Sequence, residues 1–165
     1  MNITRAELIA LAARQRQMRG NSLSRLTPAT LARQLAEFKT GTLREFALTA
    51  EAIEERDDML AGVIPKAKAA VARHGFEVCE LERVPTDQKA LAAEQKTALE
   101  FFYNNLRATS AQEPDSLGGF SLLVRQIMDA KAKRYSCHHI EWKKDRYGQT
   151  ATFTHVPLWF FEARS

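Results

Sequence analysis

Residues Gly118–Phe161 read GGFSLLVRQIMDAKAKRYSCHHIEWKKDRYGQTATFTHVPLWFF. Phe120, Leu123, Val124, Ile127 and Met128 recur at the spacing of one wide helical face, with Asp115 or Ser116 positioned to cap, so a helix is predicted over about 116–132. Gly118-Gly119 would sit in its first turn at a cost of about 1 kcal/mol each against Ala, which a close approach by another backbone would explain. Tyr135–Lys143 and Gln149–Val156 read as two strands. The turn Lys144-Asp145-Arg146-Tyr147-Gly148 between them suits an antiparallel hairpin. The stretch closes on Trp159-Phe160-Phe161. If the strand carried on, neighbouring rings would point to opposite faces. Part of that run would then need cover from another chain or from sequence outside this one.

Working outward, Thr27-Pro28 starts a helix: the hydroxyl can cap and proline suits the first turn. Leu31, Leu35 and Phe38 lie along it, and it ends near Gly41. Thr42-x-x-Glu45 has the capping-box pattern and opens a helix with Leu43, Phe46, Ala50 and Ile53 on one stripe. Glu51, Glu54 and Glu55 fall mostly off that stripe. Asp57-Asp58 restarts a helix through Leu60, Val63 and Ile64, where Pro65 predicts a kink or break. Beyond it, Ala67, Ala70 and Val71 form the apolar side, and His74-Gly75 is a stop. Phe76, Val78 and Leu81 suggest a strand ended by Pro85, with imperfect alternation. Thr86 or Asp87 caps a helix running to about Ala108, burying Leu91, Ala98, Leu99, Phe102 and Leu106. The fold class is therefore α+β: helices over about 27–74, 87–108 and 116–132 packed on a small, mainly antiparallel sheet with a C-terminal hairpin. The expected organisation is a basic arm over 1–26 and a single domain over 27–165.

At 165 residues, 45% hydrophobic and 27% charged, the composition is that of an ordinary globular domain. Such a length buries about 70% of the unfolded surface. No apolar run is long enough for a membrane span. Leu8–Ala13 is too short for a secretory leader and is followed by arginines, so the chain is expected to stay where it is made. Cys79 and Cys137 fit a reducing cytosol better than a disulfide framework. The net charge of +4 is uneven. Residues 1–44 carry eight Lys/Arg against two acids, and the remainder carries sixteen against eighteen. The basic arm reads either as a solubilising leader or as a nucleic-acid contact.

Cys137-His138-His139 is the one ligand-rich cluster, with His155 across the hairpin and Cys79 on a neighbouring strand as further candidates for zinc. Strand periodicity opposes this, because Cys137 and His139 face one side and His138 the other. Glu54-Glu55 with Asp57-Asp58 could suggest a carboxylate metal site. Successive helical positions diverge by about 100°, so a solvated acidic face plus a cap is the simpler reading. No G-x-S-x-G, G-x-x-x-x-G-K-[ST] or G-x-G-x-x-G occurs, which leaves no nucleophile elbow and no phosphate cradle. Trp142, Trp159, Phe160 and Phe161 could stack on bases, but read better as sheet core or subunit interface. No catalytic, cofactor-binding or metal residue is assigned, no cofactor is expected, and the chain is not read as an enzyme.

Several short motifs fall in a shared order. Ile140-Glu141-Trp142 ends a strand, and Pro157-Leu158-Trp159-Phe160 closes the next. Upstream stand Thr27-Pro28-Ala29-Thr30-Leu31-Ala32, then Glu54-Glu55-Arg56-Asp57 with Leu60-Ala61-Gly62-Val63, then Phe76-Glu77-Val78. In this order they resemble the N-terminal, wing-like part of the Mu-like phage portal protein family. Family members continue past the position of Ser165, so the resemblance implies a chain shortened relative to them. It also implies a structural role in the virion at the portal vertex, after assembly in the host cytoplasm. The implied partners are sister subunits in a ring, capsid protein, the packaging ATPase and double-stranded DNA that passes non-specifically, with no membrane. The reading from a different class is a small basic DNA-binding or metal-assisted DNA-processing protein of phage origin.

Overall fold

The computed structural model describes residues 26–144 and 146–161, together with Thr4, Ala6, Glu7, Ile9, Ala10 and Leu23. Most of the predicted 1–26 arm, and Asp145 in the hairpin turn, lie outside the described residues.

Helix α1, Pro28–Lys39, starts as its sequence predicts. Thr27 Oγ1 accepts from the Thr30 backbone N–H at 3.2 Å, and Thr30 Oγ1 accepts from the Thr27 N–H at 2.7 Å. It ends on Gly41 at φ 100°, with Gly41 N–H bonded to Phe38 O and Thr42 N–H to Glu37 O. That closure occupies Thr42, and helix α2, Arg44–Arg56, instead begins after Leu43 with no side-chain cap. The expected Thr42–Glu45 box does not form, because the residue that should open α2 is finishing α1.

Helix α3, Asp58–Ala72, is capped by Asp57, whose carboxylate accepts from Leu60 N–H at 2.9 Å. It runs through Pro65 without the expected break. Proline removes one ladder bond, to Ala61, and Ala61 is exposed, so water can serve the freed carbonyl. The expected strand at Phe76–Leu81 is absent. Phe76 instead packs its ring 5.3 Å from Tyr103 and 4.2 Å from Phe120, and Leu81 is exposed.

A 3-10 turn at Thr86–Gln88 leads into helix α4, Lys89–Asn105, which stops short of Ala108. Strand β1, Arg107–Ser110, takes the place of its last turn. The outer side of β1 meets Gly118 through paired bonds of 2.7 and 2.9 Å between Ala108 and Gly118. This is the close backbone approach that the glycine pair suggested. A Cβ on Gly118 would lie 2.7 Å from Leu122 Cβ. With Gly118 held there, the predicted 116–132 helix starts late and divides into α5, Phe120–Ile127, and α6, Asp129–Lys133.

Strands β2, Cys137–Lys144, and β3, Gln149–Val156, form the expected hairpin. The sheet order is β1-β3-β2. β2 pairs antiparallel with β3 over eight residues, and β1 pairs parallel with β3 over four. The fold is α+β as read, with a mixed rather than strictly antiparallel sheet. Pro157 then turns the chain into a 3-10 turn, Leu158–Phe160. The aromatic run therefore does not alternate as a strand, and the expected two-sided cover from elsewhere is corrected. Trp159 is 2% exposed, packed with Ala47, Ala111 and Leu158, while Phe161 is 38% exposed. A second cluster joins Leu106, Ala108 and Leu123 to Phe102, Tyr103, Phe120 and Phe153.

Neither α3 nor α4 contains a buried residue. Leu91, Ala98 and Leu99, expected in the core, lie exposed, and only the C-terminal end of that segment, at Leu106, is enclosed. Among the described residues no helix is long and apolar enough to cross a membrane.

Candidate functional site

Two features stand out: a nearly enclosed charge cluster and an open apolar groove. The cluster gathers four elements. Helix α2 contributes Glu51 and Glu54 one turn apart, α3 contributes Lys68, α6 contributes Asp129 and Lys133 one turn apart, and β3 contributes His155. Their side chains are between 9% and 19% exposed. Lys68 bonds Asp129 and reaches Glu54 at 3.0 Å. Lys133 lies 3.4 Å from Glu54 and 3.8 Å from both Glu51 and Asp129. His155 Nε2 lies 3.5 Å from Asp129. Glu51 also accepts from Trp159 Nε1 at 3.0 Å, which ties the closing turn to α2.

Charges withdrawn from water persist only where opposite charges and hydrogen bonds replace hydration. Burial alone would pull the Lys68 ammonium below its ordinary range, but Asp129 and Glu54 outweigh it and hold it above. Burial likewise opposes ionisation of Asp129, yet the Lys133 charge and the Lys68 hydrogen bond keep its carboxyl below the usual range. His155 is the exception. Burial, reinforced by Lys133 and Lys68, lowers it despite Asp129. The cluster thus sets three carboxylates against two ammoniums, with the His155 imidazole held towards its neutral form. It clamps α2, α3, α6 and β3 along one wall of a cleft of about 490 Å³.

The sequence did not single out this cluster. Glu54, read as part of a solvated acidic face, turns inward to the lysines, while Asp57 is the helix cap that was expected. The one hint was spacing: Glu51/Glu54 and Asp129/Lys133 each share a helix face. The Cys137-His138-His139 group separates as strand geometry requires. His138 stands opposite His155, with ring centroids 5.3 Å apart, whereas His139 faces Thr154 and Cys137 faces Val156. The partner of His155 is therefore His138 and not the Cys137/His139 side, and Cys79 is exposed, outside the sheet. Burial first, then the His155 charge, lowers His138 to about 4. Among the described residues no group of three or more His, Cys, Asp or Glu is arranged to hold a metal ion.

The groove, of about 680 Å³, lies between α4 and the hairpin. Leu99, Phe101 and Phe102 form one wall, and Trp142, Tyr147 and Gly148 the other. A Cβ on Gly148 would come within 2.7 Å of Phe101, so the turn rests directly on α4. Trp142 is 60% and Tyr147 68% exposed. The Arg146 guanidinium lies 4.5 Å over the Tyr147 ring. The tryptophans read together in the sequence thus divide, Trp159 to the core and Trp142 to an open surface.

Comparison with curated proteins finds no match. The family model described as portal protein of Mu bacteriophage matches residues 48–165. The matched span begins inside α2 and takes in all six residues of the charge cluster, both walls of the groove and the closing aromatic turn. The chain belongs to the Mu-like phage portal protein family.

Proposed function

We propose that this chain works as part of a phage portal. Sister copies assemble into a ring at one vertex of the capsid. Double-stranded DNA moves through the ring in both directions without its sequence being read, and capsid protein and the packaging ATPase dock on it. The family match over residues 48–165 carries this reading. Two helices, α3 and α4, without a single buried residue support it, because large exposed apolar faces are the mark of surfaces that meet other proteins. The role is mechanical and not catalytic: the ATPase supplies the nucleotide chemistry, and the charge cluster stiffens the unit that bears load. The working location is the portal vertex of the virion, reached after assembly in the host cytoplasm.

Sedimentation velocity on the purified chain, followed by negative-stain imaging, tests this. Concentration-dependent assembly into closed rings is expected. A chain that stays monomeric at every concentration, and cuts or specifically binds DNA, would overturn the reading.

A further inference from the structure

The sheet has one edge met by Gly118 and one open edge. On the β1 side, Ala108 and Gly118 exchange two main-chain bonds. On the β2 side no further strand pairs among the described residues. The direction of the open groups follows from β3. His155 C=O points to β1, where it accepts from Ala111 N–H at 3.0 Å. Main-chain groups alternate in direction along a strand, so Thr150, Thr152, Thr154 and Val156 turn theirs to β2. They meet Lys143, Glu141, His139 and Cys137. His138, Ile140 and Trp142 therefore direct their N–H and C=O away from the sheet, and these groups find no main-chain partner among the described residues. β2 pairs with β3 at every residue from Cys137 to Lys144, with neither a bulge nor a proline. Such an unbroken edge is a template for another strand.

A second segment is equally without main-chain partners. Glu77-Val78-Cys79-Glu80-Leu81 belongs to no helix or strand, and makes no main-chain hydrogen bond among the described residues. Leu81 is 82% exposed. Phe76, just before it, is held against Phe120, in the cluster around Ala108 of β1, so the segment lies away from its own β2 edge. Its five residues match the span from His138 to Trp142. Both of its charges, Glu77 and Glu80, are acidic and exposed, whereas β2 carries exposed Lys143 and Lys144 against half-buried Glu141. Laid antiparallel with Cys79 opposite Ile140, the segment sets Glu80 opposite His139, Val78 opposite Glu141 and Glu77 diagonal to Lys144. No like charges face each other in that register.

We propose that Glu77–Leu81 of one copy adds as a fourth strand to the outer edge of β2 on another. The joint is made by main-chain hydrogen bonds, and it uses two different surfaces, so one such contact leaves an edge and a strand free on the pair. It does not depend on the portal reading and holds for any number of copies.

Two prolines test it. Ile140→Pro removes an outward N–H and leaves the β2–β3 ladder whole, and Cys79→Pro touches a segment with no main-chain bonds, so both chains should fold. Each is expected to raise the concentration for half-association, read by sedimentation, about tenfold or more. Mixed, the two should form pairs and nothing larger, since one supplies the strand and the other the edge. In the unaltered chain, amide exchange at Ile140 and Trp142 should slow as concentration rises, while His139 N–H stays slow throughout. Undiminished association of Cys79→Pro would overturn the proposal. If Ile140→Pro alone then fails to associate, the edge belongs to β2 of a second copy instead. Fast exchange at Ile140 and Trp142 in the associated chain would overturn it too, and this measurement decides the matter should Ile140→Pro not fold. Rings with fast exchange at those amides would sink the strand joint alone. Slow exchange in assemblies that are never rings would sink the portal-ring reading alone, and a chain that never associates would sink both.

Discussion

The closed end and the open side of this domain use similar residues to opposite ends. At the closed end Trp159, Leu158, Ala47 and Ala111 are almost wholly buried, and Glu51 anchors the indole to a paired charge cluster. On the open side Met59, Val63, Leu99 and Trp142 are comparably apolar, yet each keeps about half or more of its surface in water. The difference is one of partners available within the chain. Helix α2 is packed between α1, α3 and the closing turn, so its inward residues find neighbours. Helix α3 packs mainly on α2 and α5 and reaches α6 through Lys68 and Asp129, while Met59 and Val63 on its outer side are more than half exposed. The closed end holds the unit together, whereas the open side leaves apolar surface largely uncovered among the described residues.

The sharpest way to break that contrast is at Trp159. Trp159→Ala removes a buried ring and an indole hydrogen bond, and is expected to cost about 3–5 kcal/mol in urea unfolding. A loss under about 1 kcal/mol would mean that the closed end does not hold the fold together.

Next in size is Lys133→Ala, which strips an ammonium from among three carboxylates. A cost of about 3 kcal/mol is expected, at the lower end for a broken buried pair because its ion pairs are 3.4–3.8 Å long. Chemical denaturation at neutral pH measures it, and a neutral outcome would show that the cluster is hydrated.

A smaller effect should follow pH. Unfolded imidazoles titrate near 6.5, whereas folded His138 titrates at about 4 and folded His155 below its ordinary value. On acidification the unfolded chain takes up protons first. Stability is therefore full above about 6.5 and declines as pH falls from there towards about 4. His138→Gln should flatten part of this decline in a series of melting curves, and an unchanged slope would sever the histidine pair from folding.

The smallest effect on stability, and the one that sharpens the contrast most, belongs to Trp142→Ser. Its ring is 60% exposed but stands 5.9 Å from the Phe102 ring, so its loss should cost about 1–2 kcal/mol in unfolding, well below that at Trp159. Self-association, measured by sedimentation, should nevertheless weaken. A large loss of stability with unchanged association would reverse the assignment of the two sides.

Much of the framework was legible. Thr27 and Asp57 caps, the stop at Gly41, the hairpin and its register-setting turn, and the close approach at Gly118 all follow from local rules of hydrogen bonding and sterics. Order and spacing of short motifs also pointed to the portal family. What escaped notice escaped for a physical reason. Arg107–Ser110 has no apolar alternation because its enclosed residues, Ala108 and Thr109, are small, and only pairing with β3 makes it a strand. Phe76 and Val78 look like strand residues, yet the edge of β1 is already taken by Gly118, and Phe76 gains more among Tyr103 and Phe120. Glu54 read as a surface charge because sequence shows only its own helix, and its partner Lys68 lies on the next one.

By itself, then, the sequence determined the caps, the turns, the hairpin and the family, since each depends on residues within a few positions of one another or on motif order. Only the tertiary structure decided which apolar faces are core and which are open, and which charges meet. Burial and Coulomb energies depend on the distance between elements far apart in the chain, and that distance is set by how the helices close around the sheet.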